Sequence, residues 1–343
     1  MAITKEQLGE IRQILNSSVR PYILFDDDPD GLASFLLVYG HVREGKGFPV
    51  KNSPRLGPEM ASRVNMYAPD LLVILDLPLV SQEFLDKVNA RVVWVDHHPV
   101  VERRGVEYFN PRLDDPDDDR PTSYWVYRVL NENLWIGMLG MVGDWFLPEQ
   151  EIVDEFRKQY PDLLPEDITR PEVALHDSRL GELIRIVSFN LKGMTSDVIR
   201  SIKVFTRIKD PYEILEQKSS GGKFIHRKYD KLKGRYDELL KEIHVKPDDK
   251  LVLFVYNSPD YSFSKELSNE LIYKHPDKII LLAWEYNGEY KCSLRSVKTR
   301  LPALINKALK GVDGYGGGHD HAAGACIKVK DFDRFVENVK NLI

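Results

Sequence analysis

The sequence predicts an α/β protein with an N-terminal parallel-sheet domain, a helical connector and a smaller C-terminal α/β domain. Three observations predict this fold. Short apolar runs of strand length alternate with segments of helical spacing in the first part of the chain, a mostly helical, charged stretch follows, and the alternation returns near residue 251. The chain has 343 residues, 43% hydrophobic and 29% charged, which is enough for two domains with separate cores.

Strands in the first part are predicted at residues 21–25, 71–75 and 92–95, where the chain is continuously apolar. Helices are predicted at residues 31–42, 122–130 and 134–141, and Thr122 and Ser123 are typical capping residues for the second of these. Apolar strands that alternate with helices are buried on both faces, which is typical of a parallel sheet. The first domain is therefore predicted at residues 1–185.

Residues 148–245 are predicted to be mostly helical with a break at 219–222, and the connector is placed at residues 186–245. The C-terminal domain is predicted at residues 246–343. Its strands are expected at 251–256, 278–284 and 290–296, and its helices at 264–273, 301–309 and 331–342. A glycine-rich segment at 314–318 lies between the last two helices.

Charge is unevenly distributed along the chain, whose net charge is -5. Residues 185–250 contain 16 Lys or Arg and 10 Asp or Glu, so a basic segment interrupts an otherwise acidic chain. Such a segment can contact a polyanion, or its charges can simply solvate helix faces. Both interpretations remain open at this point.

The chain has only two cysteines, Cys292 and Cys326, too few for a disulfide framework or a thiolate zinc site. They are predicted to be buried thiols in strands. The apolar runs at residues 71–77 and 134–142 are too short to span a membrane, and residues 1–9 do not resemble a signal peptide. The sequence therefore predicts a cytoplasmic protein with no membrane partner.

Acidic and histidine side chains follow each predicted strand of the first domain. They are Asp26, Asp28 and Asp30 after the first strand, Asp76 after the second, and Asp96, His97 and His98 after the third. The carboxyl ends of parallel strands share one sheet edge, where ligands bind. Carboxylates gathered there repel one another, and two divalent ions would relieve the repulsion; oxygen and imidazole ligands favour Mn²⁺, with Mg²⁺ as the alternative. Residues 26–31 alone would be interpreted as a polar turn, but the whole set with Asp144 indicates a metal site.

Four motifs carry a resemblance to a known family. The segment DDDPDG at residues 26–31 resembles the first motif of the DHH phosphoesterases, and VDHHP at 95–99 resembles the motif that names them. GGGH at 316–319 with AAG at 322–324 is similar to the signature of the DHH-associated C-terminal domain, and SLRS at 293–296 is similar to a phosphate-binding strand of that domain. The resemblance does not extend to residues 148–245.

The resemblance implies a role for each candidate site residue. It implies that Asp26, Asp28 and Asp144 hold one metal ion, that Asp30 and His97 hold a second, and that Asp76 bridges both. It further implies that His98 contacts the substrate phosphate and that Asp96 orients the histidine pair. In the C-terminal domain the implied substrate-binding residues are Ser293, Arg295, Gly317, Gly318 and His319. The active site would lie in the cleft between the domains, where a metal-bridged hydroxide attacks phosphorus in line.

The branch of the family is indicated by the first motif. Pyrophosphatases and short-oligonucleotide nucleases of the family have a histidine where this chain has Leu24, whereas the extra Asp26 resembles RecJ-type exonucleases. The connector could supply phosphate contacts and base stacking to a single strand. The residues concerned are Lys203, Arg207, Lys223, Arg227, Lys228, Lys231 and Arg235, with Phe224, Tyr229 and Tyr236 among them.

Three functions remain at the level of sequence. The first is an exonuclease on single-stranded RNA or DNA. The second is a phosphoesterase of very short oligonucleotides, cyclic dinucleotides or bisphosphorylated nucleosides. The third is an inactive scaffold in a replication or repair assembly. The implied partners are a single-stranded nucleic acid or oligonucleotide, with repair or replication proteins, or further copies of the chain, as additional candidates.

Overall fold

A computed structural model describes residues 3–51, 56–258, 261–318 and 320–343. The chain divides into two compact units, Met1–Tyr229 and Asp230–Ile343. The division falls inside the predicted connector at residues 186–245, so one part of that segment belongs to each unit.

The first unit contains a five-stranded parallel sheet in the order β2-β1-β3-β4-β5. Its strands are β1 (Pro21–Asp26), β2 (Lys46–Val50), β3 (Leu71–Leu75), β4 (Arg91–Val95) and β5 (Glu107–Phe109). Its helices are α1 (Lys5–Ser17), α2 (Pro29–Val42), α3 (Pro58–Tyr67), α4 (Gln82–Leu85), α5 (Thr122–Leu130), α6 (Leu134–Gly143), α7 (Gln150–Gln159), α8 (Pro171–Asp177), α9 (Arg179–Asn190), α10 (Thr195–Phe205) and α11 (Pro211–Leu215). A 3₁₀ turn (Pro111–Leu113) follows β5.

The predicted parallel sheet is confirmed, with β1, β3 and β4 as adjacent central strands. The two outer strands, β2 and β5, were missed. The sequence of β2 is KGFPV, and its Gly and Pro are unusual inside a strand except at a sheet edge. β5 has only three residues, too few for a periodic pattern to appear.

The core on one side of this sheet is built from the apolar residues of β1, β3 and β4. Trp94 of β4 is fully buried, stacks on Tyr108 at 4.0 Å between ring centroids, and donates its Nε1–H to the carbonyl oxygen of Leu77 at 3.1 Å. On the other side α2 packs against α5 and α6. Gly31 allows α2 to begin close to β1, because a Cβ there would lie 2.4 Å from the carbonyl oxygen of Asp26. The first turn of α2 is therefore held against the strand that precedes it.

The second unit contains a mixed five-stranded sheet in the order β6-β7-β8-β10-β9. Helix α12 (Ser220–Glu242) leads into it from the first unit. The strands are β6 (Leu251–Tyr256), β7 (Ile279–Tyr286), β8 (Glu289–Ser296), β9 (Gly314–Gly318) and β10 (Ala322–Lys328), and the helices are α13 (Ser264–Lys274), α14 (Leu301–Ala308) and α15 (Phe332–Asn341). β6 and β7 are parallel, and the other neighbours are antiparallel.

The glycine-rich segment is a strand, not a connection between helices. β9 pairs with β10, which the sequence analysis also missed, because glycine and alanine carry no strand-forming pattern. At Gly316 a Cβ would lie 2.8 Å from the carbonyl oxygen of Gly324, so the small side chains let the two strands approach. Cys292 in β8 and Cys326 in β10 are free and buried, as predicted.

The predicted helical break at residues 219–222 is the start of α12. Ser219 caps the helix, since its Oγ accepts from the N–H of Gly222 at 3.0 Å. At Gly222 a Cβ would lie 1.7 Å from the carbonyl oxygen of Glu213 in α11. Glycine is therefore required where α12 passes α11. Within the described ranges, none of the helices has both the length and the apolar character needed to cross a membrane.

Gly222→Ala should lower the free energy of unfolding by about 1–3 kcal/mol or more, because the new methyl group has to displace backbone. Gly234→Ala is the matched control in the same helix, where a Cβ meets nothing within 4 Å. The control should be stabilised by about 0.5–1 kcal/mol through higher helix propensity. Urea titration of both variants measures the difference, and equal stability of the two would contradict the close approach of α11 and α12.

Candidate metal centre

The segment after β1 places three aspartates at the edge of the parallel sheet. Asp26 ends β1, and Asp28 caps α2 by accepting from the N–H of Gly31 at 2.9 Å. Pro29 occupies the first position of α2, where its missing N–H has no cost. Asp30 then lies in the first helical turn, with 1% of its surface exposed. One strand end and one helix start thus position all three carboxylates.

Asp30 is held by the N-terminus of a second helix. Its two carboxylate oxygens accept from the backbone N–H groups of Thr122 and Ser123, both at 2.9 Å. These residues were predicted to cap α5, but the capping position is taken by Pro121, and Thr122 and Ser123 are the first helical residues. Their N–H groups, with the positive end of the helix dipole, bind a carboxylate that comes from α2.

Asp76 follows β3 in a left-handed backbone conformation, with φ of 58°. This conformation is uncommon for a residue with a side chain and is found at functional sites. The backbone N–H of Asp76 donates to the carbonyl oxygen of Val95 at 3.0 Å, and its Oδ1 accepts from the hydroxyl of Thr122 at 3.2 Å. Asp76 is therefore a buried carboxylate fixed from two sides.

The two histidines after β4 are oriented by different partners. The Nδ1–H of His97 donates to the backbone carbonyl of Asp119 at 3.0 Å, which directs its Nε2 to Oδ1 of Asp76 at 3.4 Å and to Oδ2 of Asp144 at 3.6 Å. The Nδ1 of His98 lies 2.8 Å from Oδ1 of Asp96. Asp96 thus orients His98, whereas a main-chain carbonyl orients His97.

A polar network behind the histidines was not found from the sequence. Buried Asp96 contacts the hydroxyl of Tyr108 at 3.3 Å, and the side-chain amide of Asn110 donates to the carbonyl oxygen of His98 at 2.9 Å. The Nε of Arg112 donates to the carbonyl oxygen of His97 at 2.8 Å. The sequence signal for this network is a group of polar residues in and directly after β5, a strand that was not predicted. Such contacts fix the orientation of metal-binding imidazoles.

Every predicted metal ligand belongs to a group of side chains that could hold an ion. Ligand atoms lie within 4.8 Å of one another in three groups: Asp26, Asp28 and Asp76; Asp30, His97 and Asp144; and Asp76, His97 and His98. Asp76 and His97 each belong to two groups. The resemblance had implied that Asp144 joins Asp26 and Asp28, whereas the structure groups it with Asp30 and His97.

Burial and mutual repulsion make this centre bind protons when it carries no cation. Burial, with the charges of Asp144 and Asp28, raises the pKa of Asp30 to about 6 although His97 opposes the effect. Burial and the charges of Asp30 and Asp28 raise the pKa of Asp76 well above its ordinary value. Burial alone would lower the pKa of His97, but its contact with Asp76 and the charges of Asp144, Asp76 and Asp30 raise it.

A divalent cation would replace these protons and compensate the same charges. The donors are hard carboxylate oxygens with imidazole nitrogen, a set that suits Mn²⁺ and Mg²⁺. The residues of the centre therefore fit the metal ions that the sequence analysis predicted.

The candidate substrate-binding residues of the second unit lie on β8 and β9. Arg295 donates its Nε–H to Oδ1 of Asn269 at 2.7 Å and one terminal N–H to Oγ of Ser293 at 3.2 Å. Ser293 in turn contacts the hydroxyl of Ser268 at 2.9 Å. Asn269 and Ser268, both on α13, were not recognised from the sequence. They fix the guanidinium group in one orientation.

Gly317 and Gly318 end β9 and are exposed. Gly318 has φ of 139°, which favours glycine, and a Cβ there would lie 2.7 Å from the carbonyl oxygen of Ala322. His319, the remaining predicted contact, lies outside the described residues.

The connector residues that were predicted to contact a nucleic acid are only partly at the surface. Six of the predicted basic side chains are exposed: Lys203, Arg207, Lys223, Arg227, Lys231 and Arg235. Tyr229 and Tyr236, however, are 4% and 2% exposed. Tyr229 packs on Phe189, and the hydroxyl of Tyr236 donates to Glu270 at 2.6 Å. These two rings stabilise the protein core, so the prediction that they stack on bases is wrong.

Part of this chain matches a domain family, and the whole chain resembles several solved structures. Residues 249–343 match the DHHA1 domain. RecJ from Thermus thermophilus in complex with Mn²⁺ has a TM-score of 0.71 at 16% identity, covering 98% of this chain and 54% of that one. An exonuclease RecJ bound to manganese has a TM-score of 0.63 at 14% identity and covers 100% and 95%. The DHH domain of a protein described as a member of a ribosomal protein family has a TM-score of 0.68 at 15% identity and covers 99% and 90%.

The chain thus spans about half the length of the Thermus RecJ. No curated protein matches it in sequence. At these identities the likeness establishes the fold, which is that of the RecJ-like DHH proteins, and the predicted resemblance to this family is confirmed.

Proposed function

We propose that this chain, a RecJ-like DHH protein by its fold and its DHHA1 domain, is a metal-dependent phosphodiesterase that acts as an exonuclease on single-stranded RNA or DNA. One observation supports the proposal most strongly. The buried carboxylates of Asp30 and Asp76 lie with His97 and Asp144 at one sheet edge, where their hydrogen bonds leave a charge that divalent cations would compensate. A fold needs no such cluster for its stability, whereas two-metal phosphodiester hydrolysis uses metal ions held this way.

The three groups of ligands are sufficient for two ions. Asp26, Asp28 and Asp76 would hold one, and Asp30, His97 and Asp144 the other, with Asp76 between them. When bound, divalent ions supply activation of water and neutralise charge on the phosphate. The helix N-terminus at Thr122 and the carbonyl oxygen of Asp119 keep Asp30 and His97 in place during this chemistry.

The remaining residues of the site act on the substrate phosphate. His98 is oriented by Asp96 at Nδ1, so we assign its Nε2 to the contact with a phosphate oxygen. In the DHHA1 domain, Arg295 is preorganised by Asn269 and Ser293 and can bind a phosphate without losing further side-chain freedom. Gly317 and Gly318 leave the backbone open to close approach by a ligand.

A second candidate is a phosphoesterase of very short oligonucleotides. The burial of Tyr229 and Tyr236 favours it, because two of the three aromatic residues that were predicted to stack on the bases of a long strand are not at the surface. The six exposed basic residues still favour the longer substrate, since backbone phosphates are bound mainly by charge.

The proposal is tested by offering end-labelled single-stranded RNA, single-stranded DNA, a dinucleotide and pyrophosphate to the purified chain with Mn²⁺. Stepwise shortening of the long strands is the expected result. Cleavage of the dinucleotide alone would replace the first candidate with the second. No hydrolysis of any substrate would refute both and leave the inactive scaffold.

A further inference from the structure

Two lysines of the first unit lie beside the loop that carries the metal-binding aspartates. Lys51 directly follows β2, whose last residue Val50 pairs with Asp26, so Lys51 lies at the same edge of the sheet. Its Nζ is 3.9 Å from Oδ2 of Asp27, which stands between two of the candidate ligands. It also donates to the carbonyl oxygen of Gly193. The ammonium group of Lys51 therefore lies beside the candidate metal centre.

Lys228 reaches the same region from α12. Its Nζ donates to the carbonyl oxygen of Asn190 at 2.8 Å. Asn190 is the last residue of α9 and Gly193 follows shortly after it, so both ammonium groups lie at the C-terminal end of this helix. Only 15% of the Lys51 side chain is exposed, and Lys228 is half-buried.

The environment of these lysines favours an anion. Burial, together with the charges of Lys51 and Arg200, lowers the pKa of Lys228 to about 8 although Asp197 acts in the opposite direction. Burial also lowers the pKa of Lys51. Cations that are withdrawn from water and repel one another gain more from a phosphate than cations in solvent do.

We propose that Lys51 and Lys228 bind a backbone phosphate of the nucleic-acid substrate, next to the phosphate that is hydrolysed. The inference rests on the proposed function, because it adds a second contact for the same substrate. An ammonium group has three N–H donors, so a carbonyl contact does not exhaust its capacity. The competing role is structural, since cations at a helix C-terminus also stabilise that helix.

Two substrates separate these roles. A single-stranded oligonucleotide offers neighbouring phosphates, whereas bis(p-nitrophenyl) phosphate offers only the one that is cut. Lys51→Met and Lys228→Met should each raise KM for the oligonucleotide by about 10-fold or more, as expected for a charged hydrogen bond, and change kcat/KM for the nitrophenyl ester by less than about 2-fold. Lys158→Met, at an exposed position of α7, is the matched control and should change neither.

A binding measurement separates this inference from the proposed function. With Ca²⁺ in place of Mn²⁺, fluorescence anisotropy of a labelled oligonucleotide gives the dependence of log K on log salt concentration. Its slope should decrease in magnitude by up to about 0.7 in each lysine variant, because both lysines neutralise the same phosphate. If the wild type binds the oligonucleotide but hydrolyses neither substrate, the proposed function is wrong and the slope still decides the binding site.

Three results would overturn the inference. Unchanged KM and unchanged slope in both lysine variants would leave the lysines as caps of α9, with a lower temperature of thermal unfolding as their only effect. Equal loss on both substrates would show a defect of the metal centre itself. Absence of oligonucleotide binding by the wild type would overturn the inference and the proposed function together.

Discussion

Asp76→Asn should reduce metal-dependent hydrolysis by about 1,000-fold or more while leaving the metal-free protein at least as stable as the wild type. Asp76 is 1% exposed, belongs to one of the two groups that would hold the ions and lies 3.4 Å from Nε2 of His97 in the other, so its loss should affect both candidate ions. The asparagine amide keeps the size of the side chain and removes a charge whose burial is unfavourable. Loss of activity and gain of stability are thus expected from one substitution.

Steady-state hydrolysis and thermal unfolding in EDTA and in Mn²⁺ measure these effects. Mn²⁺ should raise the unfolding temperature of the wild type and have little effect on Asp76→Asn. Asp117→Asn, at an exposed position between the 3₁₀ turn and α5, is the control and should behave like the wild type. Retained activity in Asp76→Asn would remove Asp76 from the centre, and an unfolded variant would show that its carboxylate is needed for the fold.

The stabilisation that metal ions confer should increase as the pH rises from about 4, the ordinary pKa of an aspartate, to about 8. In the metal-free protein the pKa of Asp30 is raised to about 6 by burial and by the charges of Asp144 and Asp28. A group with a raised pKa binds its proton more tightly in the folded state, so its contribution is complete below the unfolded value and is lost as the pH rises through the folded value. For Asp30 the loss is about 3 kcal/mol, since each pKa unit corresponds to about 1.4 kcal/mol.

Asp76 and His97 act in the same direction, because both have a raised pKa. The metal-free centre therefore destabilises the protein increasingly toward neutral pH, and metal ions, which compete with the protons, reverse this effect. Unfolding temperatures measured across the pH range with EDTA and with Mn²⁺ give the difference directly. The metal-free Asp30→Asn variant should show a weaker decline with pH than the wild type. A metal effect independent of pH would show that the carboxylates are ionised without a cation.

Most ligands of the candidate metal centre can be predicted from the sequence. The candidate ligands after β1, β3 and β4 were found because they directly follow apolar strands, and parallel strands bring such positions to one edge. Asp144 was part of the predicted set although it follows no strand, and the resemblance grouped it with Asp26 and Asp28, whereas the structure places it with Asp30 and His97. It follows a helix, and the direction in which a helix end points depends on how that helix packs.

The partners that hold the ligands could not be predicted. Thr122 binds Asp30 across 92 positions of the chain, and Asp119 binds His97 through a backbone carbonyl, which every residue type has. Tyr229 and Tyr236 show the converse error, because an aromatic residue on an amphipathic helix faces the core or the solvent according to its neighbours. The local sequence pattern does not show which face of such a helix is buried.

The sequence by itself determined the α/β class, the central strands and the residue types of a metal site, because strand periodicity and ligand chemistry are local properties. Only the tertiary structure decided which helix end holds Asp30, which carbonyl orients His97, and that Lys51 lies beside the metal-binding loop. Those contacts join segments that are distant in the chain. They form because packing brings a buried charge to a group that can compensate it.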